Sequence, residues 1–188
     1  MATQDRLVES TQELLWERGY VGTSPKAIQQ RAGVGQGSMY HHFDGKPDLA
    51  AAALRRSAEQ MRAVAEADLA APGTACDRIA AYLNRERDVL RGCRIGRMAQ
   101  DPEVVADPRL RSPVEETFTW LRGRIAEVVA EGQATGELRS AADPADLAAA
   151  VVAVVQGGYV LARAAESAEP FERAVRGVTA LLAAHRAG

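Results

Sequence analysis

The chain has 188 residues, of which 47% are hydrophobic and 26% charged, and its formal net charge is −2. This length and composition predict one or two small domains with a hydrophobic core and exclude a fibrous or disordered protein, while the slightly acidic balance does not by itself indicate a nucleic-acid binder. Two cysteines, Cys76 and Cys93, are too few for a disulfide framework and are expected to be reduced thiols of a cytoplasmic protein.

The first 69 residues predict four helices of short to medium length. Gly19 and Gly33 end helical segments, and Thr23 and Ser24 precede Pro25. A capping residue followed by a first-turn proline is a typical helix start. The expected helices cover residues 2–18, 25–32, about 36–43 and about 47–69.

Five further helices are expected beyond residue 74. The first covers about 75–91, and a short one reaches Asp101 after a break at Gly92. A connection with three prolines follows, at Pro102, Pro108 and Pro113. Proline ends or interrupts helices, so we expect this connection to be irregular.

The remaining three helices are long and amphipathic, each with one apolar stripe. The stripes consist of Val114, Phe118, Leu121, Ile125 and Val128; of Leu147, Val151, Val154, Gly158 and Leu161; and of Phe171, Val175, Val178 and Leu182. The second lies in the most apolar run of the chain, but Gln156 and Arg163 interrupt it, so a buried or interface helix is expected and no membrane partner. No segment alternates with a period of two, so the predicted fold class is all-α, with about nine helices.

The stretch GVGQGSMYHHF, residues 33–43, has three glycines at alternate positions. A dinucleotide-binding fingerprint needs a strand before it and a glycine where Ser38 stands, whereas a helix is expected before this stretch. A phosphate-binding P-loop needs a lysine after its last glycine, whereas Ser38 follows Gly37 directly. Both phosphate loops are therefore excluded.

A metal site is excluded by the placement of the histidines. His41 and His42 are adjacent on a predicted helix and point roughly 100° apart. No cysteine is near in sequence, and the third histidine is His185. No metal, cofactor or catalytic set of residues is predicted.

Two short helices joined by a glycine-containing turn predict a helix-turn-helix, whose second helix enters the DNA major groove. Gly33 can adopt the left-handed conformation that ends the first helix. On the second helix Met39 and Phe43 are four residues apart and are expected to face the core. The opposite face carries Gln36, Gly37, Tyr40 and His41. Gly37 lowers helix stability by about 1 kcal/mol relative to alanine, and close approach of the backbone to DNA would account for it.

Two residues of this helix also have structural interpretations. Ser38 can act as a helix cap without contacting DNA. His42 can pack or form a hydrogen bond inside the protein. Either role would leave the prediction of a helix-turn-helix unchanged.

Residues 19–49, GYVGTSPKAIQQRAGVGQGSMYHHFDGKPDL, strongly resemble the N-terminal DNA-binding domain of TetR/AcrR-type transcriptional regulators. The family pattern is matched by Gly19-Tyr20, Thr23, Ile28, Ala32-Gly33-Val34, Gly37, Tyr40, His42-Phe43, Lys46 and Leu49. The resemblance covers residues 1 to about 55 and is specific, whereas the helical remainder has weak motifs. Residues 92–101, GCRIGRMAQD, resemble an actinobacterial-type branch of the family.

The resemblance implies a helix-turn-helix DNA-binding domain over residues 1–55 and a helical ligand-binding and dimerisation domain over residues 56–188. It implies that Thr23 and Lys26 meet the DNA backbone, that Gln36, Gly37 and Ser38 lie over base edges, and that Tyr40, His41 and Lys46 bind phosphates. Many relatives carry Lys or Arg in the recognition helix, and this chain has neither there. Bidentate reading of guanine by arginine is therefore not expected from this helix, whereas Gln36 can bond adenine.

For the second domain the resemblance implies a homodimer, formed by the last two helices, and an unidentified small-molecule inducer. The candidate ligand-binding residues are Tyr82, Met98, Phe118, Trp120, Gln156 and Tyr159. The sequence reveals no cluster of buried charge, so an apolar, aromatic or modestly polar ligand is expected. Gly157 and Gly158 lie inside an apolar helix, where a close helix crossing or a bend would account for them.

Three functions remain open from the sequence. The first is a cytoplasmic, homodimeric repressor that an inducer releases from a palindromic double-stranded operator. The second is a helical small-molecule-binding protein or enzyme that uses the helix-turn-helix only structurally, although no Ser-His-Asp or Cys-His set is suggested. The third is an activator or nucleoid-type binder without ligand release, which the position of the operator relative to the promoter distinguishes from a repressor.

Overall fold

The computed structural model describes residues 2–139 and 141–186, and over these residues the fold is all-α, as predicted. The helices are α1 (Thr3–Arg18), α2 (Pro25–Ala32), α3 (Gln36–His42), α4 (Lys46–Leu69), α5 (Ala75–Asn84), α6 (Pro102–Ala106), α7 (Pro108–Ala134), α8 (Pro144–Ala165) and α9 (Glu169–Ala184), with a 3-10 helix at Met98–Gln100. Within the described residues the strand-like pairing is one isolated bridge between Leu138 and Arg186.

The end of α1 and both ends of α2 lie where their local sequence signals predict. The Ser24 hydroxyl accepts a hydrogen bond from the Ala27 N–H at 3.1 Å, and Pro25 takes the first helical position of α2. Gly19, with φ of 75°, ends α1. These local signals therefore place α1 and α2 on the chain without help from distant residues.

Helix α5 is shorter than predicted, because it ends at Asn84 and does not continue to residue 91. Arg85 is already extended, with ψ of 150°. The Arg87 side chain folds back and donates hydrogen bonds to carbonyl oxygens of the last helical turn. A side-chain donor at these unpaired carbonyls stabilises the helix end, so α5 stops there. The short helix predicted up to Asp101 consists of turns and the 3-10 helix.

The connection predicted from the prolines is helical. Pro102 and Pro108 occupy the first positions of α6 and α7, where a missing N–H breaks no helical hydrogen bond. Asp101 and Asp107 precede them, and each carboxylate accepts from the backbone N–H two residues later. Pro113 lies near the start of α7 and the helix continues through it. The prediction was wrong because first-turn prolines begin helices as well as end them.

The described chain divides into two compact units. The first runs to Met61 and includes Cys93–Thr117, and the second comprises Arg62–Gly92 and the chain from Phe118 onward. The first unit therefore contains α1, α2, α3 and α6, and the second contains α5, α8 and α9. The functional boundary predicted at residue 55 concerns DNA and ligand binding, and it stays a prediction.

The face of α8 that is buried within the chain overlaps the predicted apolar stripe at Val151 and Gly158. Its buried residues are Ala148, Val151, Val152, Val155, Gly158 and Ala162, whereas Leu161 is 55% exposed. A Cβ added to Gly158 would lie 2.9 Å from Cδ2 of Phe171, so glycine permits the close contact between α8 and α9. Alanines and valines complete this packed face. The predicted close crossing at Gly158 is thus observed, while a Cβ at Gly157 would meet no atom within 4 Å.

Helix α8 is also the one helix among the described residues that is long and apolar enough to cross a membrane. Its most apolar 18-residue window has a mean hydropathy of 1.7, and 33% of that window is buried inside the chain. Core helices of soluble proteins have the same length and composition. Since α8 packs closely against α9, its composition is accounted for by helix packing.

Candidate nucleic-acid interface

The turn between α2 and α3 is fixed by a left-handed glycine. Gly33 has φ of 63° and ψ of 40°, and the Val34 N–H donates to the Gln29 carbonyl oxygen at 3.1 Å. This hydrogen bond closes the end of α2, and only glycine adopts the conformation at no steric cost. The predicted role of Gly33 is confirmed.

Helix α3 is held by one face only. The Met39 side chain is fully buried and Phe43 is 6% exposed, while the Gln29 side-chain amide lies 3.5 Å from the Met39 sulfur. The predicted inward face is therefore confirmed. The residues predicted to face outward or to lie over bases are all exposed: Gln36, Gly37, Ser38, Tyr40 and His41.

In the described part of the chain, Gly37, Ser38 and His42 of α3 have no structural role that would explain their identity. A Cβ at Gly37 would meet no atom within 4 Å, so the fold does not require glycine there. Gly35 precedes α3 and no side chain caps the helix, so Ser38 does not act as a cap. His42 is exposed, with its ring edge-on to His41 at 5.0 Å, so the internal packing considered for it is not observed.

The Lys46 ammonium packs over an aromatic ring. Its Nζ lies 3.8 Å from the centroid of the Tyr20 ring, and Tyr20 is 5% exposed. Burial lowers the pKa of the Lys46 ammonium, and the nearby Glu103 and Asp101 act in the opposite direction. Tyr20 and Lys46 both belong to the family pattern, and the Tyr20 ring orients the Lys46 ammonium at the start of α4.

Thr23 and Lys26 differ in their surroundings. The Thr23 side chain is 1% exposed, and its hydroxyl donates to the Gly19 carbonyl oxygen at 2.7 Å. A phosphate would have to compete with this internal hydrogen bond. Lys26 is exposed on the first turn of α2 and is available to a phosphate without rearrangement.

Asp101 supports the interface from the other segment of the first unit, and sequence reasoning missed it. One oxygen of its buried carboxylate accepts from the backbone N–H groups of Tyr20 and Val21, at 2.8 and 3.1 Å. The other oxygen accepts from the Glu103 N–H at the start of α6. No sequence signal indicates a partner 81 residues away.

The six residues predicted to bind a ligand do not form one group. Met98 is fully buried in the first unit, whereas the other five belong to the second. Tyr82 is 2% exposed, and Tyr159 packs against Phe171 with 4.8 Å between ring centroids. Phe118, Trp120 and Gln156 are half-buried. Within the described residues no group of three or more His, Cys, Asp or Glu side chains could hold a metal ion.

Two family models match the chain. Residues 7–53 match the model described as "Bacterial regulatory proteins, tetR family", and residues 73–178 match "Tetracyclin repressor-like, C-terminal domain". The first match contains α2, α3 and the start of α4, and the second contains α5 and α8. Together they cover both compact units.

Individual relatives are similar over nearly their whole length. The HTH-type transcriptional repressor DhaR of Mycobacterium sp. (strain GP1) is 25% identical, over 90% of this chain and 87% of its own. The crystal structure of a TetR transcriptional regulator from Chloroflexus aurantiacus is 30% identical, with a TM-score of 0.88 over 98% of this chain and 96% of its own. A cysteine mutant of the regulator CifR, solved with a 26-bp operator duplex, shares the fold at 22% identity and a TM-score of 0.79, over 93% of this chain and 94% of its own.

We expect Asp101 to contribute more to stability than a helix cap alone. Asp101→Ala should lower the free energy of unfolding by about 2–4 kcal/mol, because the buried Tyr20 N–H and the partly buried Val21 N–H lose their acceptor in addition to the cap. Asp107→Ala is the matched control, since Asp107 also caps a helix before a proline but pairs only with Arg109. The Asp107→Ala variant should lose about 1 kcal/mol of unfolding free energy. Urea unfolding measures both, and equal losses would contradict the role of Asp101.

Proposed function

The chain belongs to the TetR family of bacterial regulatory proteins, and we propose that it is a homodimeric repressor which a small molecule releases from a palindromic operator. As a member of this family it is a DNA-binding transcriptional regulator. The proposal rests on one observation above others: Met39 is the one buried residue of α3, and the other six are exposed. We place the protein in the cytoplasm, where its DNA is, and propose no catalytic role.

We propose that α3 reads bases chiefly through Gln36. A glutamine amide can donate to and accept from adenine in the major groove at the same time. Gly37, with open space above its Cα, lets the helix backbone approach the bases, and Ser38 lies on the same face. No arginine or lysine is present in α3, so guanine reading by a guanidinium is not available to it.

Phosphate contacts are assigned to residues around α3. Lys46 and Lys26 supply positive charge, and Tyr40 and His41 supply hydrogen-bond donors from the exposed face. We also assign Thr23, near the start of α2, to a contact with the DNA backbone. This contact competes with the hydrogen bond that the Thr23 hydroxyl donates to the Gly19 carbonyl oxygen. Such contacts position the protein but carry no base information.

The dimer is assigned to α8 and α9. Both helices bury one face within the chain, yet Val160, Leu161 and Leu181 are more than half exposed on them. Large apolar side chains grouped on exposed helices are typical of an interface between subunits. Two copies joined there would present two α3 helices to one palindrome.

Ligand release requires that the ligand bind the two states of the dimer differently. The shift in operator affinity cannot exceed that difference in ligand affinity. A repressor and an activator differ in where the operator lies, so the decisive experiment uses a reporter gene whose promoter overlaps the selected site. Expression of the protein should lower the reporter signal, whereas a rise would identify an activator.

The roles of Gln36 and the two lysines are separable. Using an operator selected from random duplexes, Gln36→Ala should lose about 1–3 kcal/mol per half-site at a single base step, because one bidentate pair disappears. Lys46→Ala and Lys26→Ala should weaken all sequences about equally and reduce the salt slope by about one per half-site. Fluorescence anisotropy with operator variants at two salt concentrations measures both effects. The assignment is wrong if Gln36→Ala keeps its base preference while a lysine variant changes it.

Substitutions of Gly37 should lower operator affinity without lowering the stability of the fold. Gly37→Ala is expected to stabilise the protein by up to about 1 kcal/mol, because alanine favours a helix and its methyl meets no atom. The same methyl would stand between the helix backbone and the bases, so operator affinity should fall, and Gly37→Val should abolish it. Thermal unfolding and anisotropy on the same samples test this. A Gly37→Ala variant that binds its operator like the parent would show that close approach is not needed.

The dimer prediction has a matched control on the same unit. Leu161→Glu should convert a species of roughly twice 20.1 kDa into one of 20.1 kDa, because a charge cannot be buried unpaired in an apolar interface. Leu90 is 49% exposed outside α8 and α9, and Leu90→Glu should leave the dimer intact. Sedimentation at micromolar concentration measures both. Dissociation by Leu90→Glu, or a monomeric parent protein, would contradict the assignment.

A further inference from the structure

Arg87 places a guanidinium against the end of α5, inside the second unit. Its Nη1 donates to the carbonyl oxygens of Leu83 and Arg85, at 2.8 and 2.9 Å, and its Nη2 donates to that of Tyr82. The Nε atom is buried and has no hydrogen-bond partner among the described residues. Two N–H groups, at Nε and at Nη2, are therefore left over from the five that a guanidinium carries.

Aromatic rings surround this guanidinium. Its Cζ lies 5.3 Å from the centroid of the Tyr82 ring and 5.8 Å from that of Phe171. The Phe171 ring packs in turn on Tyr159. Tyr82 and Phe171 are almost fully buried, and burial lowers the pKa of Arg87. We call Tyr82, Arg85, Arg87, Tyr159 and Phe171 the aromatic–arginine cluster.

The cluster holds more positive than negative charge. Arg85 lies over the Tyr82 ring as well, with its Cζ 5.0 Å from the ring centroid. Its Nη1 is 3.5 Å from the Asp68 carboxylate, with both side chains about one-fifth exposed. Asp68 thus balances Arg85, while no carboxylate in the described part of the chain forms an ion pair with Arg87. The carbonyl oxygens at the end of α5 partly offset the charge of Arg87, and an anion that binds the unpartnered Nε–H would add a charge-assisted hydrogen bond.

We propose that the aromatic–arginine cluster binds the regulator's ligand, and that this ligand is a monocarboxylate with an aromatic or aliphatic body. The inference rests on the proposed function, since it names the chemical class of the ligand. The Nε–H and the remaining Nη2–H of Arg87 donate to the carboxylate oxygens, as guanidinium and carboxylate match in shape and charge. The rings of Tyr159, Tyr82 and Phe171 contact the body of the ligand.

The charge of the cluster selects a monoanion over other ligands. Two guanidiniums and one carboxylate leave a single positive charge, which a carboxylate neutralises and a doubly charged phosphate exceeds. A cation would be repelled by Arg87, and a neutral ligand would leave its charge unbalanced. The proposed ligand is more specific than the apolar, aromatic or modestly polar molecule expected from the sequence, which did not reveal that Arg87 folds back onto the end of α5.

Acids and their amides distinguish this site from an apolar pocket. We would titrate the full-length dimer with benzoate, phenylacetate and octanoate, each beside its neutral amide, by calorimetry and thermal unfolding. At least one acid should bind saturably and raise the unfolding temperature, and its amide should bind more than tenfold more weakly. Equal binding of acid and amide, or no saturable binding of any acid up to about 10 mM, would overturn the proposal.

Substitutions then test whether the binding depends on Arg87. Arg87→Gln should weaken the acid about tenfold to hundredfold, since a charge-assisted bidentate contact is lost, and leave any weak amide binding unchanged. Arg122→Gln is the control, because Arg122 is exposed on α7 of the same unit. Should Arg87→Gln fail to fold, Arg87→Lys keeps the charge and should retain weakened binding. Full acid binding in a folded Arg87→Gln would overturn the proposal.

A second readout separates this inference from the proposed function. The acid that binds is added to the complex of the protein with its selected operator, and anisotropy follows release of the DNA. Release that requires Arg87 supports both conclusions. An acid that binds through Arg87 and leaves operator affinity unchanged supports the site and shows that ligand release is wrong.

Discussion

The exposed face of α3 depends on the burial of two side chains beneath it. A helix of seven residues does not persist in water by itself, since nucleation is unfavourable and few hydrogen bonds offset it. Met39 and Phe43 supply the missing stability by entering the core of the first unit. The left-handed turn at Gly33 then sets the direction in which the helix leaves α2. The orientation of the exposed side chains of α3 is therefore set by the buried Met39 and Phe43.

The sequence was sufficient for features that depend on neighbouring residues. Ser24, Pro25 and Gly33 each act on backbone groups within about one helical turn of their own position, so both ends of α2 could be predicted correctly. The spacing of Met39 and Phe43 likewise identified which face of α3 is buried. Contacts between residues far apart in the sequence could not be predicted from local patterns. The sequence did not indicate Asp101 as the acceptor for the turn after α1, and Arg87 was one arginine among many.

Helix α8 shows a second limit of sequence patterns. A stripe of large apolar residues predicts the buried face when helices pack at ordinary distances. Here Gly158 allows Phe171 of α9 to come close, and Val151, Val152 and Val155 are buried beside it, while Leu161 is exposed. The pattern identified the helix and its glycine contact correctly, but of the stripe only Val151 and Gly158 are buried within the chain. Apolar content alone does not distinguish a face buried within one chain from a face available to a second chain.

The ring of Tyr20 beneath Lys46 has a consequence for the thermodynamics of docking. A lysine side chain free in water samples many rotamers, and fixing it lowers its entropy by an amount worth about 2 kcal/mol. The Tyr20 ring restrains the ammonium at 3.8 Å during folding, before any phosphate arrives. That part of the entropy loss then belongs to the folding equilibrium and is absent from the association step. In the phosphate contact proposed for Lys46, an ammonium held in this way would bind at a smaller entropy cost than that of the exposed Lys26 on the first turn of α2.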